Sequence, residues 1–149
     1  MKAALACGVA IVALSCRSAP PAPAALDTRN DACANCRMAV SSARFASQIV
    51  APGEEPRFFD DLGCLAAYLR EHPTQPEGAV TYVADHRTGA WLPASDATFT
   101  KVSAMETPMG SHVVAHVSPG SRDADEAARG GTPVDAVGYF GRAFAGGSR

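Results

Sequence analysis

Prolines and glycines punctuate this chain so closely that only short elements fit between them. There are 11 Pro and 13 Gly in 149 residues. A proline inside a helix removes a backbone hydrogen bond and clashes with the preceding turn, and glycine favours turns over regular structure. The clearest helix is LGCLAAYLREH, running from Leu62 until Pro73. Its Leu62, Leu65, Ala66 and Leu69 recur on one face at the three- and four-residue spacing of an amphipathic helix, and Asp60 or Asp61 is placed to cap it. Before it, residues 38–50 alternate as one or two short strands. Pro52-Gly53 turns the chain, and Arg57-Phe58-Phe59 reads as a strand. After it, Ala79 to Val83 is a strand, giving β-β-α-β ending near Asp85. The second half has the same rhythm. A turn at Arg87-Thr88-Gly89 leads to short strands at Ala90–Leu92, Thr98–Val102 and His112–Val117. A helix over Arg122–Arg129, capped near Ser121, and a strand over Val134–Phe140 follow. The expected fold class is therefore α+β, with two small β-β-α-β lobes at 31–85 and 86–141 and a frayed, flexible tail at 142–149. No repeat in the sequence marks a duplication, so the two lobes rest on element order alone.

Charge narrows the partners. Thirteen Lys+Arg against fifteen Asp+Glu leave a net charge of -2, and the isoelectric point near 6.0 offers no basic footprint for a phosphate backbone. Nucleic acid is not an expected partner. The length suits one compact domain or two small lobes.

The N-terminus sets the compartment. Residues 3–15, AALACGVAIVALS, are uncharged and apolar behind Lys2. As a helix they reach about 20 Å, short of the roughly 30 Å hydrocarbon core, so the run reads as the core of a secretory signal peptide over residues 1–15 rather than a membrane span. It ends in Ala13-Leu14-Ser15-Cys16, which resembles a bacterial lipobox. Cys16 would then be acylated and become the mature N-terminus, and Cys7 would be discarded. The protein is expected in the cell envelope, lipid-anchored and facing the periplasm or exterior. Residues 16–30, rich in Pro and Ala, read as an extended tether that buries nothing and reaches about 40 Å.

The strongest chemical signal is DACANCRMAV, residues 31–40. Cys33 and Cys36 have the spacing at which two sulfurs chelate one metal or close a small disulfide. Met38 adds a thioether two positions on. Thiolate and thioether are soft ligands and favour Cu(I) over Zn(II), Mg(II) or Ca(II). With Cys16 acylated, the mature domain holds an odd number of cysteines, Cys33, Cys36 and Cys64, so one must be unpaired or metal-bound. On the expected helix Cys64 lies opposite the leucine stripe, facing solvent or a second packing layer. Met109, in Thr107-Pro108-Met109-Gly110, sits at the tip of a turn instead of on an apolar periodic face, which suits a ligand better than a core side chain. Met105 is a weaker copy of that idea. His112 is close enough in sequence to Met109 to join it. His112 and His116 are about 13 Å apart along a strand and cannot share an ion. His72 is expected as a helix C-terminal partner, and His86 as a loop residue. Asp60 and Asp61 read as capping residues, Asp85 as a turn former. There is no GxSxG, HExxH, phosphate loop or GxGxxG, and nothing argues for an enzyme.

Together these stretches resemble the NosL family of nitrous oxide reductase accessory lipoproteins. ACANCRMAV, FASQI, FFDDLGCLAAYL, TYVADHRTGAWLPASDATF and TPMGSHVVAHVS occur in the family's order over most of residues 31–118. The resemblance implies two β-β-α-β lobes related to the organomercurial lyase fold and Cu(I) as the bound metal. It implies as client a cuproenzyme, nitrous oxide reductase, or a copper transporter. The positions matching its motifs are Cys33, Cys36, Met38 and Met109, with Cys16 as the anchor. The family often carries Gly before the first methionine, where this chain has Arg37.

Three functions compete. A membrane-tethered Cu(I) metallochaperone would pass its ion on by stepwise ligand exchange. An extracytoplasmic thiol–disulfide oxidoreductase would need Cys33 at a helix N-terminus. A zinc-stabilised binding module would use Cys33, Cys36, Cys64 and a histidine.

Overall fold

The computed structural model describes residues 19–145. The signal peptide and Cys16 lie outside the described residues, as do residues 146–149. Strands β1 (Ser47–Val50), β2 (Arg57–Phe59), β3 (Val80–Ala84) and β4 (Trp91–Pro93) form one antiparallel sheet in the order β2-β1-β3-β4. Helix α1 (Leu62–Glu71) joins β2 to β3. Strands β5 (Thr98–Lys101), β6 (Val113–His116) and β7 (Thr132–Pro133) form a second sheet in the order β6-β5-β7. Helix α2 (Pro119–Asp123) and a 3-10 turn at Glu126–Ala128 lie between β6 and β7. Both lobes thus contain a β-β-α-β unit, to which the first adds β4, and in both units the first strand lies between the second and the third. The fold is α+β with two small lobes. Among the described residues no helix is long and apolar enough to cross a membrane.

Alternation along the strands divides each sheet into two faces. On the first sheet Phe59 touches Tyr68 of α1, with ring centroids 5.1 Å apart, so the face that carries Phe59, Ile49 and Val83 lies under the helix. Their burial, with Leu62, Leu65, Ala66 and Leu69 of α1, makes the main core. Phe99, Val113 and Ala115 of the second sheet belong to the same core, so the lobes share one apolar interior. The other face of the second sheet packs Val114 against Val102 and Ala128 in a smaller cluster that Phe45 and Met105 border.

Four segments differ from the sequence reading. The strand at Trp91–Pro93 belongs to the first sheet, because Tyr82, Val83 and Ala84 pair with it across the turn. The helix expected at Arg122–Arg129 starts earlier and breaks. Ser118 caps α2 with Pro119 at its first position, a start signal in its own right, and Asp125 then caps a separate turn. Val134–Phe140 is no strand: Asp135 accepts from Gly138 N and opens helix α3 (Ala136–Phe140). The last strand is the two residues before it. Residues 142–145 form helix α4 (Arg142–Ala145), and Phe144 stacks on Phe140 at 4.6 Å, so this part of the expected tail is held by aromatic packing.

The Pro/Ala segment is also not free of the domain. Gln48 and Tyr82 are cross-strand partners on the face opposite α1. The Tyr82 hydroxyl donates to Pro21 O at 2.6 Å, and the Gln48 amide exchanges two hydrogen bonds with the Ala24 backbone. Ala24 and Leu26 pack on the core. An alternating apolar pair and two polar side chains turn the segment into a strap over the sheet.

Phe140 is fully buried against Phe99, Tyr139 and Phe144. Phe140→Ala is expected to lower the unfolding free energy by about 3–5 kcal/mol, measured by urea denaturation. Val137→Ala on the exposed side of the same helix should change it by less than about 0.5 kcal/mol.

Asp61 and Asp85 are buried carboxyls whose burial favours the neutral form. Hydrogen bonds outweigh it and lower both pKa values below the ordinary 3.8. The donors are the Ser111 and Thr107 hydroxyls and the Gly63 and Met109 amides for Asp61, and Val117, Thr88 and Ser121 for Asp85. Groups depressed on folding contribute stability that is present above the unfolded value and lost as pH falls through the folded one. Urea midpoints should therefore hold steady above about pH 5 and drop below about pH 4.

Candidate metal centre

Residues 32–39 form a tight loop closed by a bridge between Ala32 and Ala39. Within it Cys33 N donates to Met38 O at 2.7 Å, and Arg37 N to Cys33 O at 2.9 Å. Ala34 N reaches Phe58 O and ties the loop to β2. Arg37 has φ of 66°, a left-handed conformation that costs an L-residue about 1–2 kcal/mol. Glycine takes it freely, which is the physical reason a glycine suits the position before Met38. The loop is not a helix N-terminus, the setting that a dithiol oxidoreductase needs.

Cys64 lies in the first turn of α1, its amide bonded to Asp61 O at 2.9 Å. It is buried by the Cys33–Cys36 loop, which supplies the second packing layer over the side of α1 away from the leucines. The sulfurs of Cys33, Cys36 and Cys64 lie within 4.8 Å of one another, and all three are free thiols. Sulfurs about 2.3 Å from one ion in a trigonal plane would stand about 4.0 Å apart, so the observed cluster closes around a metal with small adjustments. Cys33 and Cys64 are buried and Cys36 is half-buried, leaving one side of the cluster open.

The three thiols are not equivalent. Burial opposes the Cys33 thiolate, but the amides of Cys36, Asp60 and Asn35 and the Cys36 thiol outweigh it, so its pKa falls below the ordinary thiol value. Burial drives the Cys64 pKa well up, and the charge and hydrogen bonds of Cys33 and Cys36 push the same way. Of the two buried thiols, Cys33 is therefore the readier to lose its proton.

Asp61 joins this cluster to the Met109 turn. One carboxylate oxygen accepts from Gly63 N at 2.6 Å and caps α1; the other accepts from Met109 N at 3.0 Å. Gly63 allows the approach, since a Cβ there would lie 3.0 Å from the Ser111 Cβ. Tyr139 of α3 borders the same spot: burial raises its pKa, and Ser111, Asp61, Arg70 and Cys64 are the groups it feels.

Of the residues singled out from sequence, the structure brings Cys33 and Cys36 together and adds Cys64. The Met38 and Met109 side chains are 58% and 45% exposed; Met38 closes the thiol loop through its carbonyl, and Met109 is tied to Asp61 through its amide. Met105 packs into the small core cluster instead. His112 bonds the Met105 carbonyl through Nδ1 at 2.7 Å. His72 caps the end of α1 through Tyr68 O. Asp61 is the helix cap, Asp60 accepts from Ser41, and Asp85 accepts from Thr88 in its turn. Sequence parity flagged Cys64 without placing it, and Tyr139 escaped because its segment read as a strand. No histidine belongs to the thiol group, so the Cys₃His set of a zinc module is not formed.

The NosL family model matches residues 23–136. The chain belongs to the NosL family. Members are copper-binding accessory proteins linked to copper maturation of nitrous oxide reductase, and the three-thiol cluster is a group of this chain that could hold a metal. No curated protein and no solved structure matches it.

Asp61→Ala should remove the helix cap and the anchor of the Met109 turn together. The expected cost is about 1–3 kcal/mol. Hydrogen exchange should show the Met109 amide losing its protection well before the interior of α1.

Proposed function

We propose that this NosL-family chain is an exported, membrane-anchored Cu(I) metallochaperone that hands copper to a cuproenzyme by ligand exchange. Nitrous oxide reductase is the client that the family suggests, with a copper transporter as the alternative partner. The observation that carries this reading is the convergence of Cys33, Cys36 and Cys64. Three soft sulfurs select a soft monovalent ion over the harder divalent ones. The half-buried Cys36 leaves a path for an incoming ligand, and the exposed thioethers of Met38, on the thiol loop, and Met109, whose backbone Asp61 holds, supply weak ligands for the ion in transit. No step in this transfer calls for a catalytic residue.

The anchor is Cys16. Because the strap is pinned at Pro21, only five residues separate lipid from the first pinned residue. Fully extended they span at most about 18 Å. The pinned face of the domain is thereby kept near the membrane surface, which suits exchange with a membrane-bound partner.

The decisive experiment titrates reduced, anaerobic protein with Cu(I) against a coloured competitor, with Zn(II) in parallel. One Cu(I) per chain is expected. Loss of Cys33, Cys36 or Cys64 should weaken it by about a hundredfold or more, and the Met38/Met109 double substitution by about tenfold. Failure to compete for Cu(I), with Cys33 and Cys36 cycling readily as a disulfide, would replace this reading by a thiol–disulfide role.

A further inference from the structure

A second group of ligating side chains converges away from the thiols, at the seam between the lobes. His86 lies in the turn after β3, His116 is the last residue of β6, and Asp125 caps the 3-10 turn that follows α2. One oxygen of Asp125, Oδ2, lies 2.7 Å from His86 Nδ1 and 2.9 Å from His116 Nε2. The three ligand atoms are within 4.8 Å of one another. His116 is fully buried, and His86 and Asp125 are nearly so. The Phe45 ring lies against His86 with centroids 5.1 Å apart and walls one side of the group.

We propose that His86, His116 and Asp125 form a second metal site, for a divalent transition ion such as Zn(II) or Cu(II), that clasps the two lobes. Two imidazole nitrogens and a carboxylate oxygen are a borderline-to-hard donor set, suited to divalent ions and unlike the thiol group that selects Cu(I). An ion with bonds of about 2.1 Å in tetrahedral geometry sets its ligand atoms about 3.4 Å apart. The observed 2.7 and 2.9 Å contacts need to open by little more than half an ångström. Asp125 has room for this movement because its other oxygen holds only Ala127 N, at 3.0 Å, and His86 sits in a turn.

The simpler account is a carboxylate accepting two imidazole N–H groups. What the metal reading adds is the convergence of three ligand atoms within 4.8 Å in a site nearly closed to solvent; His116 Nδ1, across the ring from the ligating nitrogen, has no hydrogen-bond partner among the described residues and takes no part in either account. The surroundings are built as a support for the group. Asp85 holds the neighbouring backbone through Val117 N at 2.8 Å and Ser121 Oγ at 3.2 Å, and His86 N donates to Ala115 O across the seam. The site would gain its ion from a divalent pool and would leave the thiols to Cu(I).

The test is a Zn(II) titration of the full chain in detergent, followed by side-chain nitrogen NMR of the four histidines. Saturable shifts at His86 Nδ1 and His116 Nε2, with His72 and His112 unmoved, are expected. His86→Gln replaces a turn residue and should retain a dispersed backbone spectrum while weakening this Zn(II) step by at least tenfold. Asp125→Asn should do the same. Cu(II) should give an electron paramagnetic resonance signal split by two nitrogens, which is lost in His86→Gln. Zn(II) shifts confined to the cysteines, or histidine shifts that survive His86→Gln unchanged, would overturn the proposal. Since the readout is at nitrogen, its failure would leave the Cu(I) reading of the thiols untouched.

Discussion

Three buried carboxylates hold this molecule together, and each works in the same divided way. Asp61 uses one oxygen to cap its own helix and the other to hold the Met109 amide of the opposite lobe. Asp85 uses one oxygen for its own turn at Thr88 and the other for Val117 and Ser121. Asp125 opens its own 3-10 turn with one oxygen and meets His86 and His116 with the other. A carboxylate is costly to bury unless its lone pairs are filled. Here the residues that fill them come from both lobes, so each carboxylate is satisfied only when the lobes are docked. The seam is thereby specified by polar geometry as well as by shared apolar area.

The two candidate metal groups sit at opposite extremes of ligand softness. Sulfurs from a loop and the first turn of α1 make one, and imidazole and carboxylate from the seam make the other. Both depend on the carboxylate stitching. Asp61 caps the helix that carries Cys64, and Asp85 fixes the chain next to His86 and His116. In the thiol group Cys36 is only half-buried, as suits a site that gives up its ion. The seam group is enclosed, as suits an ion that stays.

Much of the fold was legible in local pattern. The leucine spacing and Asp61 gave α1, Pro and Gly bounded the short strands, and the order β-β-α-β appeared twice. Reading failed where a short apolar run had two solutions. Val134–Phe140 alternates passably as a strand, yet Asp135 caps it into a helix whose Phe140 has an aromatic cage waiting in Phe99 and Phe144. The Pro/Ala strap looked solvated because the partners that bind it, Gln48 and Tyr82, are 24 and 61 residues away.

The sequence by itself determined the donor types. Two cysteines at chelating spacing, a methionine just beyond and a second methionine on a turn are local facts, and soft-metal chemistry follows from them. Tertiary structure alone decided which donors meet. It brought Cys64 to Cys33 and Cys36 because the loop covers the face of α1 that the leucines leave free, and it left the Met38 and Met109 side chains exposed. It also joined His86, His116 and Asp125, which span 39 residues. Their meeting depends on how two sheets dock, and no periodicity within either sheet encodes that.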